Sequence, residues 1–131
     1  MKISAIEGKI KRSGIEFLKT SFWFNHNPDS NKEDWTRLLL HNDERILIIY
    51  QESSDYRWVL TSQRLFIPNE LITIKICDLL EANFEDLELG KTTKLENDSI
   101  NLRTKNATIK LYLEENSWHL FIDIFKFIIT K

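Results

Sequence analysis

His26, His41 and His119 are the side chains best suited to metal ligation or proton transfer near neutral pH, and their spacing supports neither role. No two stand three or four residues apart, as a helical metal site requires, and H-E-x-x-H is absent. Cys77 is the single cysteine, which excludes an internal disulfide or a thiolate cluster made by one chain. Its setting in the apolar run at 72–80 predicts a buried, inert thiol, because reactivity needs an exposed, electropositive site. The three glycines are isolated, so neither a P-loop nor G-x-G-x-x-G is present, and no G-x-S-x-G elbow occurs. Adjacent carboxylates such as Glu85-Asp86 and Glu114-Glu115 point to opposite faces of a strand and cannot share a reacting atom. Trp23, Trp35, Trp58 and Trp118 lack the interleaved Lys and Arg of a base-stacking platform, which places them in the core or a helix–sheet seam. The expectation is a protein without catalytic residues, metal or cofactor.

Charge carries more information. The net charge of −2 hides an asymmetry, since residues 1–24 hold Lys2, Lys9, Lys11, Arg12 and Lys19 against Glu7 and Glu16, a balance of +3, leaving −5 for the rest. Over 78–98, Asp78, Glu81, Glu85, Asp86, Glu88, Glu96 and Asp98 face only Lys91 and Lys94. Six of these, Glu81, Glu85, Asp86, Glu88, Glu96 and Asp98, are the candidate partner-binding residues. Such a surface repels nucleic acid, whose binding rests on clustered Lys and Arg, and it suits a basic protein. A charge interrupts the N-terminal segment where a secretory signal needs an apolar run, and no stretch reaches the roughly 18 apolar residues of a membrane span. The expected compartment is the cytoplasm.

The elements that must position these groups follow from periodicity. With 131 residues, 42% apolar and 29% charged, the chain fits one domain with one core. Ser13-Gly14-Ile15-Glu16 and Ser30-Asn31-Lys32-Glu33 have the capping-box pattern and predict helices over 13–24 and 30–41. Before Ser13, Ile3, Ile6 and Ile10 suit a helical stripe, while Gly8 and the polar cluster at 11–14 suit a short strand and turn. The β-branched run at 46–50 predicts a strand, and residues 56–67 predict a β-hairpin. Alternation of Ile72, Ile74 and Ile76, then of Leu80, Ala82 and Phe84 toward Asp86, predicts two further strands. A last hairpin is expected over 99–113. From 116 to 129, Trp118, Phe121, Ile122, Phe125, Ile128 and Ile129 form one apolar stripe, with Leu120, Ile124 and Phe127 beside it. That leaves His119, Asp123, Lys126 and Thr130 as a narrow polar edge, so the helix needs cover on two sides. The layout is α+β in a single domain 1–131, with a helical lead-in at 1–42, about seven antiparallel strands over 43–113 and a C-terminal helix at 115–130.

The hairpin wording Leu60-Thr61-Ser62-Gln63-Arg64-Leu65, together with Leu40-His41-Asn42-Asp43-Glu44-Arg45-Ile46-Leu47 before it and Ile74-Lys75-Ile76-Cys77-Asp78-Leu79-Leu80-Glu81-Ala82 after it, resembles bacterial pleckstrin-homology-like and GRAM-like domains. The resemblance spans about residues 38–129. It implies a pleckstrin-homology-like antiparallel barrel plugged by the last helix, a fold that hosts lipid, peptide and protein binding alike. Family members that hold phosphoinositides use Lys and Arg between the first two strands. Here that loop is Gln51-Glu52-Ser53-Ser54-Asp55, with only Arg57 and Arg64 nearby.

Three functions follow as expectations. The first is a non-catalytic protein-binding module, in its specific form a cytoplasmic immunity or antitoxin-like protein that blocks a basic toxin through the acidic surface. The second is a GRAM-like lipid- or membrane-surface-binding domain that approaches anionic lipid through Lys9, Lys11 and Arg12, a weak contact at about 1 kcal/mol per cation. The third is self-association through the two-sided C-terminal helix.

Overall fold

In a computed structural model, which describes residues 2–25, 40–52, 55–90, 93 and 97–130, the chain opens with a helix, α1 (Ile3–Ser13), that buries Ile6 and Ile10. The isoleucine stripe therefore belongs to a helix rather than to a strand and turn. Gly8 lies inside α1, where glycine costs about 1 kcal/mol relative to alanine. A Cβ at Gly8 would meet only the tip of the Arg12 side chain, Nη1 at 3.0 Å, which can swing aside. Gly8→Ala is thus expected to raise the melting temperature by about 3–5 °C. Calorimetry showing no rise would place Arg12 more rigidly than this geometry implies.

The helix expected over 13–24 does not form. Ser13 ends a helix instead of starting one: its Oγ donates back to the Ile10 carbonyl (2.7 Å), and Gly14 takes the left-handed conformation (φ 68°) that stops α1. Lys11 and Arg12 in the last turn suit the negative end of the helix dipole. A short strand, β1 (Thr20–Phe22), and a 3-10 turn (Trp23–Asn25) follow. The helix expected at 30–41 lies outside the described residues except for Leu40 and His41, which are not helical.

Two compact units are present, Lys19–Thr73 and Met1–Leu18 with Ile74–Lys131. In the first, β1 pairs antiparallel with β2 (Ile46–Glu52), β2 with β3 (Asp55–Thr61) and β3 with β4 (Arg64–Ile67). Beyond β4 stands β5 (Ile72–Lys75), completing a five-stranded sheet in the order β1-β2-β3-β4-β5; the boundary between the units falls within β5. The hairpin at 56–67 is present, with Leu60 opposite Leu65 and Val59 opposite Phe66. All of Ile46, Leu47, Ile48, Ile49 and Tyr50 are buried, as a near-continuous apolar run requires of a strand covered on both faces.

In the second unit a 3-10 turn (Ile76–Asp78) leads into β6 (Leu79–Asn83), a one-turn helix α2 (Glu85–Glu88), β7 (Ser99–Thr104), β8 (Thr108–Tyr112) and the C-terminal helix α3 (Trp118–Thr130). The sheet runs β6-β7-β8, antiparallel throughout. Helix α3 packs on β6 and β7 and also against α1, so both its apolar stripes find cover within the unit. Its polar edge, His119, Asp123, Lys126 and Thr130, is exposed.

The architecture is α+β with antiparallel strands, an N-terminal helix and a C-terminal helix, but the described strands form two sheets of five and three rather than one closed barrel. Ahead of β6, the 3-10 turn at Ile76–Asp78 changes the phase of burial. Its three-residue period replaces the two-residue alternation, so Ile76, Leu79 and Ala82 turn inward and Cys77 is exposed, contrary to the expected buried thiol. A register shift between Leu79 and Glu81 then leaves Leu80 outside, 49% exposed, where alternation predicts it inside. The expected strand through Asp86 gives way to α2, whose Glu85 amide is capped by Asn83 Oδ1 (3.2 Å). Among the described residues no helix is long and apolar enough to cross a membrane.

Candidate functional site: a cleft along strand β6

Every residue of the segment 80–84 lines a cleft of about 710 Å³ that is completed by α2, by Arg103 and Thr108 of the sheet, and by the last turns of α3. Register explains the sheet's share. Glu81 lies opposite Arg103, and Arg103 opposite Thr108, so the three side chains form one row across β6, β7 and β8. Arg103 Nε donates to Glu81 Oε2 at 2.8 Å. That hydrogen bond holds the Glu81 carboxyl below its ordinary range against the opposing effect of burial, with lesser help from the charge of Arg103, from Asn83 and from the charge of Lys126. Both partners are about half exposed, so the pair orients Glu81 more than it stabilises the fold. Asn83 Oδ1 accepts from Asn101 Nδ2 (3.3 Å) as well as from the Glu85 amide, tying the end of β6 to β7 and to the start of α2. From α3, Lys126 stands over the Phe84 ring, 5.5 Å from its centre.

The six nominated carboxylates are not all brought together. Glu81, Glu85 and Glu88 line the cleft. Asp86 lies on α2 between the latter two, Asp98 is exposed just before β7 and its carbonyl accepts the Leu113 amide, and Glu96 lies outside the described residues. Sequence reasoning misses the cations. Counting charge along 78–98 omits Arg103 and Lys126, which reach the same cleft from later elements; only the β6–β7 register identifies the first and only the exposed edge of α3 the second. With Glu81 held by Arg103, Glu85 and Glu88 are the cleft carboxylates without an ion-pair partner among the described residues. Leu80, half exposed, adds an apolar contact.

The basic groups nominated for lipid are mostly engaged. Lys9 pairs with Asp123 of α3 (3.0 Å) and stands over Phe127, and Lys11 pairs with Glu7 (2.9 Å). In the five-stranded sheet, Arg57 approaches Glu52 (3.7 Å), and Arg64 forms a two-pronged pair with Glu44, Nε to Oε2 at 2.9 Å and Nη2 to Oε1 at 2.6 Å. Thr61 completes that cluster. Its Oγ1 donates to Glu44 Oε2 (2.5 Å) and accepts from the amides of Gln63 (3.1 Å) and Arg64 (2.8 Å), while the His41 amide donates to Glu44 Oε1 (2.9 Å). Thr61 and Arg64 thus close the hairpin turn onto the segment entering β2. Among the described residues no group of His, Cys, Asp and Glu is arranged to hold a metal ion.

Comparisons with protein-family models, with curated proteins and with solved structures find no match to this chain.

Proposed function

We propose that the chain is a non-catalytic protein-binding module, built on a pleckstrin-homology-like plan, that captures a basic protein at the β6 cleft; its specific form is a cytoplasmic immunity or antitoxin-like protein that blocks a basic toxin. The observation that carries this reading is the convergence of Glu81, Glu85 and Glu88 on one cleft that also exposes Leu80. Carboxylates around an apolar contact steer a cationic partner and give it a surface to bury. The lipid-surface alternative is weaker because Lys9 and Lys11 are already paired within the molecule.

The test is co-purification from the native cell with mass spectrometry, comparing the unmodified chain with Glu85→Lys/Glu88→Lys. Both positions are exposed on a one-turn helix, so the double variant should fold normally. A basic protein is expected at one-to-one stoichiometry, with recovery falling at least tenfold in the variant, which corresponds to about 1.4 kcal/mol. Recovery of no basic protein, or undiminished recovery by the variant, would remove the reading.

A further inference from the structure

Strand β6 pairs with β7 on one side, and among the described residues nothing pairs with it on the other. Such an edge presents a row of backbone amides and carbonyls in want of partners, and proteins usually cover or blunt it. Here the edge strand lines a cleft instead, and all of 80–84 contributes to the wall. We infer that β6 receives an extended, basic segment of the partner as an added strand, with β6 supplying main-chain hydrogen bonds and Glu85 and Glu88 receiving the segment's Lys or Arg side chains. The inference rests on the protein-binding reading above and names how that binding is made.

Three features of the cleft fit this occupant. Strand β6 has five residues, so an added strand of about five or six residues, roughly 17 Å, matches its length. The register shift beside Leu80 leaves that leucine 49% exposed on the edge strand, an apolar contact that the apolar residues of an incoming alternating strand would cover. Charge also discriminates. Arg103 is taken by Glu81 and Lys126 rests on Phe84, so the carboxylates left to an incoming strand are those of α2. An acidic segment would meet Glu85 and Glu88 at the end of the cleft, where like charges oppose binding.

The test uses the full chain and three capped eight-residue peptides: alternating Lys and Val, the same peptide N-methylated at every Lys, and the same peptide N-methylated at every Val. Because successive residues offer their amides to opposite edges of a strand, the two methylated peptides block opposite edges. Backbone amide shifts are followed by nuclear magnetic resonance during titration. The parent peptide is expected to shift and protect amides in 79–83, one methylated isomer to bind at least tenfold more weakly, and the other to bind within about twofold of the parent. An alternating Glu and Val peptide should not bind. If the parent binds and Glu85→Lys/Glu88→Lys weakens it, but both methylated isomers bind equally well, strand addition is overturned while the acidic protein-binding reading stands. Absence of any shift at β6 with the basic peptide also overturns it, as does light scattering that shows a dimer whose β6 amides are protected before any peptide is added.

Discussion

Replacing Arg64 with alanine is expected to cost about 3–5 kcal/mol, read as a lowered urea midpoint, because it strands a carboxylate inside the protein. The Glu44 side chain is fully buried, against 14% exposure for Arg64, so the carboxylate left behind has no solvent to replace its partner. Domains of this size hold about 5–15 kcal/mol in all, so the variant would sit near the edge of folding. Arg64 also lies over the Phe66 ring, 4.6 Å from its centre, and some of the loss could come from packing. Arg64→Met keeps an unbranched side chain of similar reach beside Phe66 and removes the guanidinium, with its charge and its hydrogen bonds to Glu44. It should lose nearly as much; a methionine variant close to the parent would transfer the cost from electrostatics to packing.

The same cluster sets an acid limit. Glu44 is lowered from 4.5 to about 2, chiefly by its Arg64 hydrogen bonds, with the Thr61 hydroxyl and the His41 amide adding to them against the opposing effect of burial. A carboxyl whose folded value lies below its unfolded one stabilises the protein above the unfolded value and loses that contribution as the pH falls through the folded one. The contribution, about 3 kcal/mol at neutral pH, should therefore be present above pH ~5 and drain away toward pH ~2. Denaturant midpoints between pH 6 and pH 2.5 would show this as a falling limb that flattens when Arg64 is replaced.

The second large effect is expected at Phe121. It is fully buried in the first turn of α3, with its ring meeting Phe17 edge-on at 6.0 Å. Phe121→Ala should cost about 3–5 kcal/mol through lost burial and the cavity left behind. Phe127, only partly buried on the side where Lys9 passes over its ring, should cost less than half as much on the same change. Equal losses at the two positions would contradict the packing described for α3. Hydrogen exchange should localise the Phe121→Ala damage to α1, α3 and the three-stranded sheet.

What is legible in the chain is whatever depends on neighbours. The hairpin at 56–67 can be read because its two strands and turn are contiguous, and α3 because its pattern repeats every three or four residues over three turns. The lead-in is harder. Ser13 and Glu16 have the spacing of a helix start, but Gly14 between them is also the residue that ends helices, and the isoleucines before it decide the matter. Leu80 and Cys77 escape prediction because a 3-10 turn and a register shift change the phase of burial without any glycine or proline to mark the place. The site is half visible: Glu81, Glu85 and Glu88 share a cleft as their clustering suggests, but Arg103 and Lys126 enter it from distant stretches of chain.

Cys77, turned outward by that 3-10 turn one residue before β6, gives the chain a natural attachment point for a reporter. A thiol-reactive dye would couple at one position with no substitution anywhere, close enough to the strand for its emission to respond when the neighbouring edge is filled. The same uncovered thiol would join two copies in air. Any apparent dimer that disappears with a reducing agent would then be a product of oxidation and not of association.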